Sequence, residues 1–135
     1  MSKKQTATAF STPEAEIVAA NLGLRAEGLP IVTLMESILR RKINLQMNED
    51  NTAAIQIFKT GYSPALRHTG RTHRVSLSWL KEIFLMDSIK CRYVLSCEQC
   101  ADVFTKIFNS PEAWEHAVKL INHVHPYEFW TGRRQ

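Results

Sequence analysis

Two stretches of this chain read as strands, and the distance between them constrains the fold more than any other feature. "INLQMNED" (43–50) sets Ile43, Leu45 and Met47 against Asn44, Gln46 and Asn48, the two-residue period of a strand with one buried face. "IKCRYVLS" (89–96) is the second. About forty residues with helical periods separate them, far too many for a hairpin and enough for a crossover that brings the chain back parallel. The expectation is an α/β fold. Both strands then end on one rim of the sheet, each followed at once by a helix start, and that rim is where open α/β sheets place their sites.

The remaining elements fit around this pair. "TATAF" (6–10) can form a short strand. "STPEAE" opens a helix, with Ser11 or Thr12 as cap, Pro13 in the first turn and Ser11-x-x-Glu14 at capping-box spacing. Ile17, Ala20 and Leu24 share one side of it. Gly28 and Pro30 interrupt, and Ile31, Leu34, Met35 and Ile38 restart the period, which predicts a kinked helix or two helices to about Arg41. "NTAAIQIF" is a short helix stopped by Gly61, and 61–71 is a loop. Residues 72–86 return to helix with Val75, Trp79, Leu80, Ile83 and Phe84 inward; 97–108 and 110–124 are two more helices, the latter capped by Ser110. The tail "HPYEFWTGRRQ" reads as loosely ordered.

The 135 residues suffice for one domain with its own core. The apolar runs are too short to span a bilayer, no secretory leader is visible, and three cysteines make no disulfide framework. An intracellular setting follows, with no membrane partner. The net charge of +4 is unevenly spread. No Asp or Glu occurs from Asn51 to Lys81, a stretch holding Lys59, Arg67, Arg71, Arg74 and Lys81 with His68 and His73.

Three constellations could carry chemistry. Glu16, Asp50 and Asp102 fall near element ends on the expected rim. Crowded carboxylates raise one another's pKa, a cost that a hard divalent cation such as Mg²⁺ or Mn²⁺ relieves; helix capping by the dipole explains acids at such positions equally. The acid-free stretch could hold phosphates, or be a solvated face. Cys97-x-x-Cys100 at a helix start could be a redox pair or, with His123 and His125, a zinc site, or a coincidence of spacing; His116 reads as a surface residue.

The chain also resembles a known family. "SKKQTATAFSTPEAEIVAA" is similar to the S-[KR]-K-Q-x-x-x-A-L-S-S-T-E-A-E-Y-x-A segment in the ribonuclease H domain of copia-type retrotransposon polyproteins. "EDNTAAIQIFK" resembles its C-D-N-x-[SA]-A-I-x-[LI]-x-K, "RTHRV" its R-T-K-H-I, and "CEQCADVFTKIF" its T-x-x-Q-x-A-D-[IV]-[LF]-T-K, in the same order from Ser2 to about Phe108. The resemblance implies a ribonuclease H-like domain over 1–108, with 109–135 a C-terminal helix and basic tail. It implies a mixed sheet with flanking helices and two-metal hydrolysis of RNA in an RNA–DNA hybrid. Glu16, Asp50 and Asp102 would be the catalytic, Mg²⁺- or Mn²⁺-binding acids, and Lys59, Arg67, Arg71 and Arg74 would contact the hybrid.

The departures have consequences. No "D-A-D-W" segment, which carries the family's first Asp, occurs in the 135 residues. Pro13 stands for Thr, Ile17 for an aromatic residue, and Arg74-Val75-Ser76 for H-I-D; "LSCEQC" lacks the histidine that many cellular ribonucleases H have before the last acid. The expected fold is therefore incomplete, its first two strands missing, and its isolated activity impaired. The alternatives are a catalytically inactive nucleic-acid-binding remnant and an assembly domain. A homodimer or an upstream polyprotein segment would engage the open sheet edge, in the cytoplasm, a virus-like particle or the nucleus.

Overall fold

A computed structural model describes Ala9 and residues 11–123. Apart from Ala9, the expected strand at 6–10 lies outside the described residues, as does the tail beyond His123. The chain divides into two compact units, Met1–Tyr93 and Val94–Gln135.

In the first unit, β1 (Leu45–Glu49) pairs in parallel with β2 (Ile89–Tyr93), Leu45 opposite Ile89 and Glu49 opposite Tyr93. The parallel pair expected from the long crossover is present, and the molecule is mixed α/β. The alternation in β1 also holds, with one consequence: the side shared by Leu45 and Met47 continues to Glu49, and this acid is the most buried residue of the strand.

α1 (Thr12–Gly23) starts where Ser11 Oγ accepts the Glu14 N–H at 3.3 Å. It buries Glu14, Ile17, Ala20 and Asn21, with Leu24 one turn further on. The expected break at Gly28–Pro30 is instead a widening. Leu24–Gly28 forms a π turn, which runs directly into α2 (Leu29–Leu39). Proline has no N–H to donate and its ring crowds the preceding turn; a wider turn accommodates both without ending the helix. Gly28 is also where the helix approaches β1 closely, since a Cβ there would lie 3.0 Å from Leu45 Cδ2. Thr12–Leu39 is thus one helix of 28 residues, long and apolar enough to cross a bilayer by length and composition, which the interrupted apolar pattern concealed. A core helix passes the same test, and α1 has a core-facing side.

α3 (Thr52–Thr60) is capped by Asn51, whose Oδ1 accepts from Ala53 and Ala54 N–H, and it stops at Gly61 with φ 70°, as expected. The segment 61–76 is more structured than a loop: a 3₁₀ turn at Pro64–Leu66 and a single-turn helix α4 (Thr69–Thr72). α5 (Leu77–Phe84) begins later than expected because Arg74 takes φ 56° and Ser76 caps the helix at Trp79 N–H. Val75 is buried as expected, though it precedes the helix. Ile17, Leu24, Ala54, Phe58, Leu66, Val75, Leu80, Ile83 and Ile89 build one apolar core. Arg25 lies 4.2 Å over the Trp79 ring.

The second unit departs most from expectation. Residues 97–108 are not a helix; Ser96–Glu98 and Cys100–Phe104 are 3₁₀ turns. Apolar residues on this segment point outward, Phe104 at 76% and Ile107 at 92% exposure, so no buried face supports a regular helix there. α6 (Pro111–Leu120) is capped by Ser110 as expected and packs Trp114 edge-on to Phe108.

Candidate nucleic-acid interface and carboxylate group

Parity places the first group. Glu49 follows Leu45 and Met47 onto the covered side of β1 and is 5% exposed. Its Oε1 accepts the Asn51 N–H at 3.0 Å. Burial pushes its carboxyl above the ordinary value of 4.5, and the charges of Glu16 and Asp50 push the same way, against the pull of that N–H. The charges of the expected acids Glu16 and Asp50, both half-buried, thus act on a further acid, Glu49, that the sequence analysis did not assign. Its signal was available: the strand's own two-residue period points Glu49 inward. Next to it, Cys91 is pushed up to about 11 by burial and by Glu49, partly offset by Lys59, so the thiol stays protonated.

Asp102 belongs to the second unit and has a basic partner. Lys106 Nζ donates to Asp102 Oδ2 at 2.6 Å and to Ser96 Oγ at 3.0 Å. Cys97 and Cys100 are free thiols. His116 Nε2 lies 3.0 Å from the Cys97 carbonyl oxygen, and His125 is outside the described residues. Among the described residues, no three His, Cys, Asp or Glu side chains are gathered as a group able to hold a metal ion. The carboxylates near β1 have the oxygen donors that Mg²⁺ or Mn²⁺ prefers, but not that gathering.

The basic segment is a built surface. Leu66, Thr69 and Val75 anchor 61–76 in the core, and Thr69 Oγ1 donates to the Leu66 carbonyl at 2.8 Å. A further tie was not foreseen. Glu14, fully buried on α1, places Oε1 2.8 Å from His68 Nε2 and 3.1 Å from His73 Nε2. Both rings present an N–H to one carboxylate oxygen and so fasten both sides of α4 to α1. Capping-box spacing explained Glu14 locally and hid this role. With the segment held, Lys59, Arg67, Arg71 and Arg74 are exposed, and Arg67 lies 5.7 Å from the centre of the exposed Tyr62 ring.

The chain matches no family model, no curated protein and no solved structure.

Proposed function

We propose that this chain is a ribonuclease H-like module, similar to that of copia-type retrotransposon polyproteins, which holds an RNA–DNA hybrid and is a poor nuclease in isolation. The observation that carries the binding half is the anchored, acid-free segment 61–76. Its backbone is fixed by buried residues and by the Glu14 tie, so the guanidinium groups of Arg67, Arg71 and Arg74 are presented with little ordering cost. Arginines spaced along a fixed surface suit phosphates, and an exposed tyrosine beside one of them suits a base. The parallel strands, with Glu16, Glu49 and Asp50 near the end of β1, agree with the resemblance. The engagement of Asp102 by Lys106 supports the weak catalysis.

Binding of a labelled hybrid across a salt series is the test. The logarithm of affinity should fall linearly with the logarithm of salt, with a slope near −0.7 to −0.9 per phosphate contacted. Changing Arg67, Arg71 and Arg74 together to Gln should reduce that slope by about 2 to 3 units. An unchanged slope refutes the interface. Cleavage of the hybrid in Mg²⁺ that disappears in Asp50→Asn refutes the poor-nuclease half and leaves the binding half standing.

A further inference from the structure

The two halves of the long helix differ in what they bury. None of the residues of α2 is buried. Ile31, Leu34 and Ile38 are 53%, 58% and 63% exposed and fall at spacings of three and four, which makes one stripe. Charge flanks the stripe at both ends. Glu27, exposed, lies in the π turn before it, and Arg40, Arg41 and Lys42, all exposed, follow the end of α2 at Leu39, with Lys42 Nζ 3.9 Å from Glu36 Oε2. The apolar positions 31, 34 and 38 step by three and four, the spacing of a coiled-coil seam.

We infer that this seam pairs with a second copy of the chain, antiparallel, about a two-fold axis near Leu34. The charges select both partner and direction. A parallel pair sets Glu27 beside Glu27 and the three cations beside their equivalents, so like charges meet at both ends. An antiparallel pair lays the Glu27 end of each helix against the Arg40–Lys42 end of the other, and the stripe covers itself. An anionic bilayer would be attracted by the cations and repelled by Glu27. Arg40, at φ 51°, ends the helix just past the stripe, so the seam is only about three turns long. Such a contact falls well below the roughly 800 Å² per partner of a standard interface, and the dimer is accordingly weak, with a dissociation constant on the order of 10 μM.

Sedimentation of the full chain from about 1 to 200 μM tests this, since that range brackets the expected constant. The average mass should rise from monomer toward dimer. Leu34→Arg, at an exposed site that leaves the core intact, should give a monomer with unchanged circular dichroism and unfolding midpoint. Glu27→Lys should raise the dissociation constant at least tenfold, because the two-fold axis makes each charge contact twice and both are lost. Adding Arg41→Glu to that variant should restore it, because both exchanged charges meet again across the axis. A wild-type chain that stays monomeric throughout overturns the proposal. So does a dimer that survives Leu34→Arg, which would pair through another surface such as a strand edge. Failure of rescue in the charge exchange overturns the antiparallel arrangement.

Discussion

Glu14 and Glu49 are both glutamates, both in the first compact unit and both almost fully buried, yet their surroundings are opposite. Glu14 faces two imidazoles, each within hydrogen-bonding distance of the same oxygen. Glu49 faces Glu16 and Asp50 and has only backbone N–H groups, those of Asn51 and Asp50, to lean on. Burial penalises the charged form of either side chain, so what differs is the company. An acid with donors around it becomes a fastening; an acid among acids becomes a store of electrostatic strain. The first ties the basic segment to α1. The second marks a place where proton or cation binding relieves a cost.

The largest effect should come from removing the first. Glu14→Ala leaves two rings without their acceptor and opens a void at a fully buried site, and should lower unfolding free energy by about 3 kcal/mol. Urea unfolding measures it; a change below about 0.5 kcal/mol would show that the contact is incidental. The two histidines should then separate by burial. The His73 side chain is 2% exposed and that of His68 37%. His73→Ala should cost about 2 kcal/mol and His68→Ala less than half of that, because water replaces the exposed partner. Equal costs would mean that the fastening is shared evenly and that burial does not decide it.

The smallest effect, and the one that reverses sign, belongs to Glu49. Its carboxyl titrates above 4.5 in the folded chain. A raised acid contributes stability that is complete below its unfolded value and is lost as pH rises through the folded value. Glu49→Gln has no charge to lose. The variant should therefore unfold at a higher temperature than wild type at pH 7, by a few degrees, with the difference closing as pH falls below about 4.5. A difference independent of pH would mean that the amide acts through packing or the Asn51 contact rather than through charge.

The sequence carried the scaffold where one period ran unbroken and a cap marked its start. The parallel pair, the Asn51 and Ser110 caps, the stop at Gly61 and the inward Val75, Leu80 and Ile83 were all readable. Glu49 was readable from parity, the same two-residue period that sets Leu45 and Met47 on the covered side. Glu14 was read only in part because a local explanation sufficed: the Ser11 cap is present, but nothing in Ser11-x-x-Glu14 shows histidines more than fifty residues away. The 97–108 segment failed for the reverse reason. Its helical spacing was sound, but spacing forms a helix only where some surface covers the apolar side, and Phe104 and Ile107 have none.

The π turn at Leu24–Gly28 acts as a gear with one extra tooth. Each residue of an α-helix advances the face by 100°, and a π turn holds one residue more for the same advance along the axis. Counting α-helically from Leu24, the inward line would run through Ile31, Met35 and Ile38. The extra residue shifts its phase, so that Leu29 and Val32 are partly covered while Ile31 and Ile38 turn to solvent. Deleting one residue inside the turn, Ala26 for instance, would wind the two halves back into phase. Ile31 and Ile38 would rotate inward and the outer stripe would lose its apolar line. A single-codon change that touches no core side chain would thus exchange the molecule's outer surface for its inner one along α2.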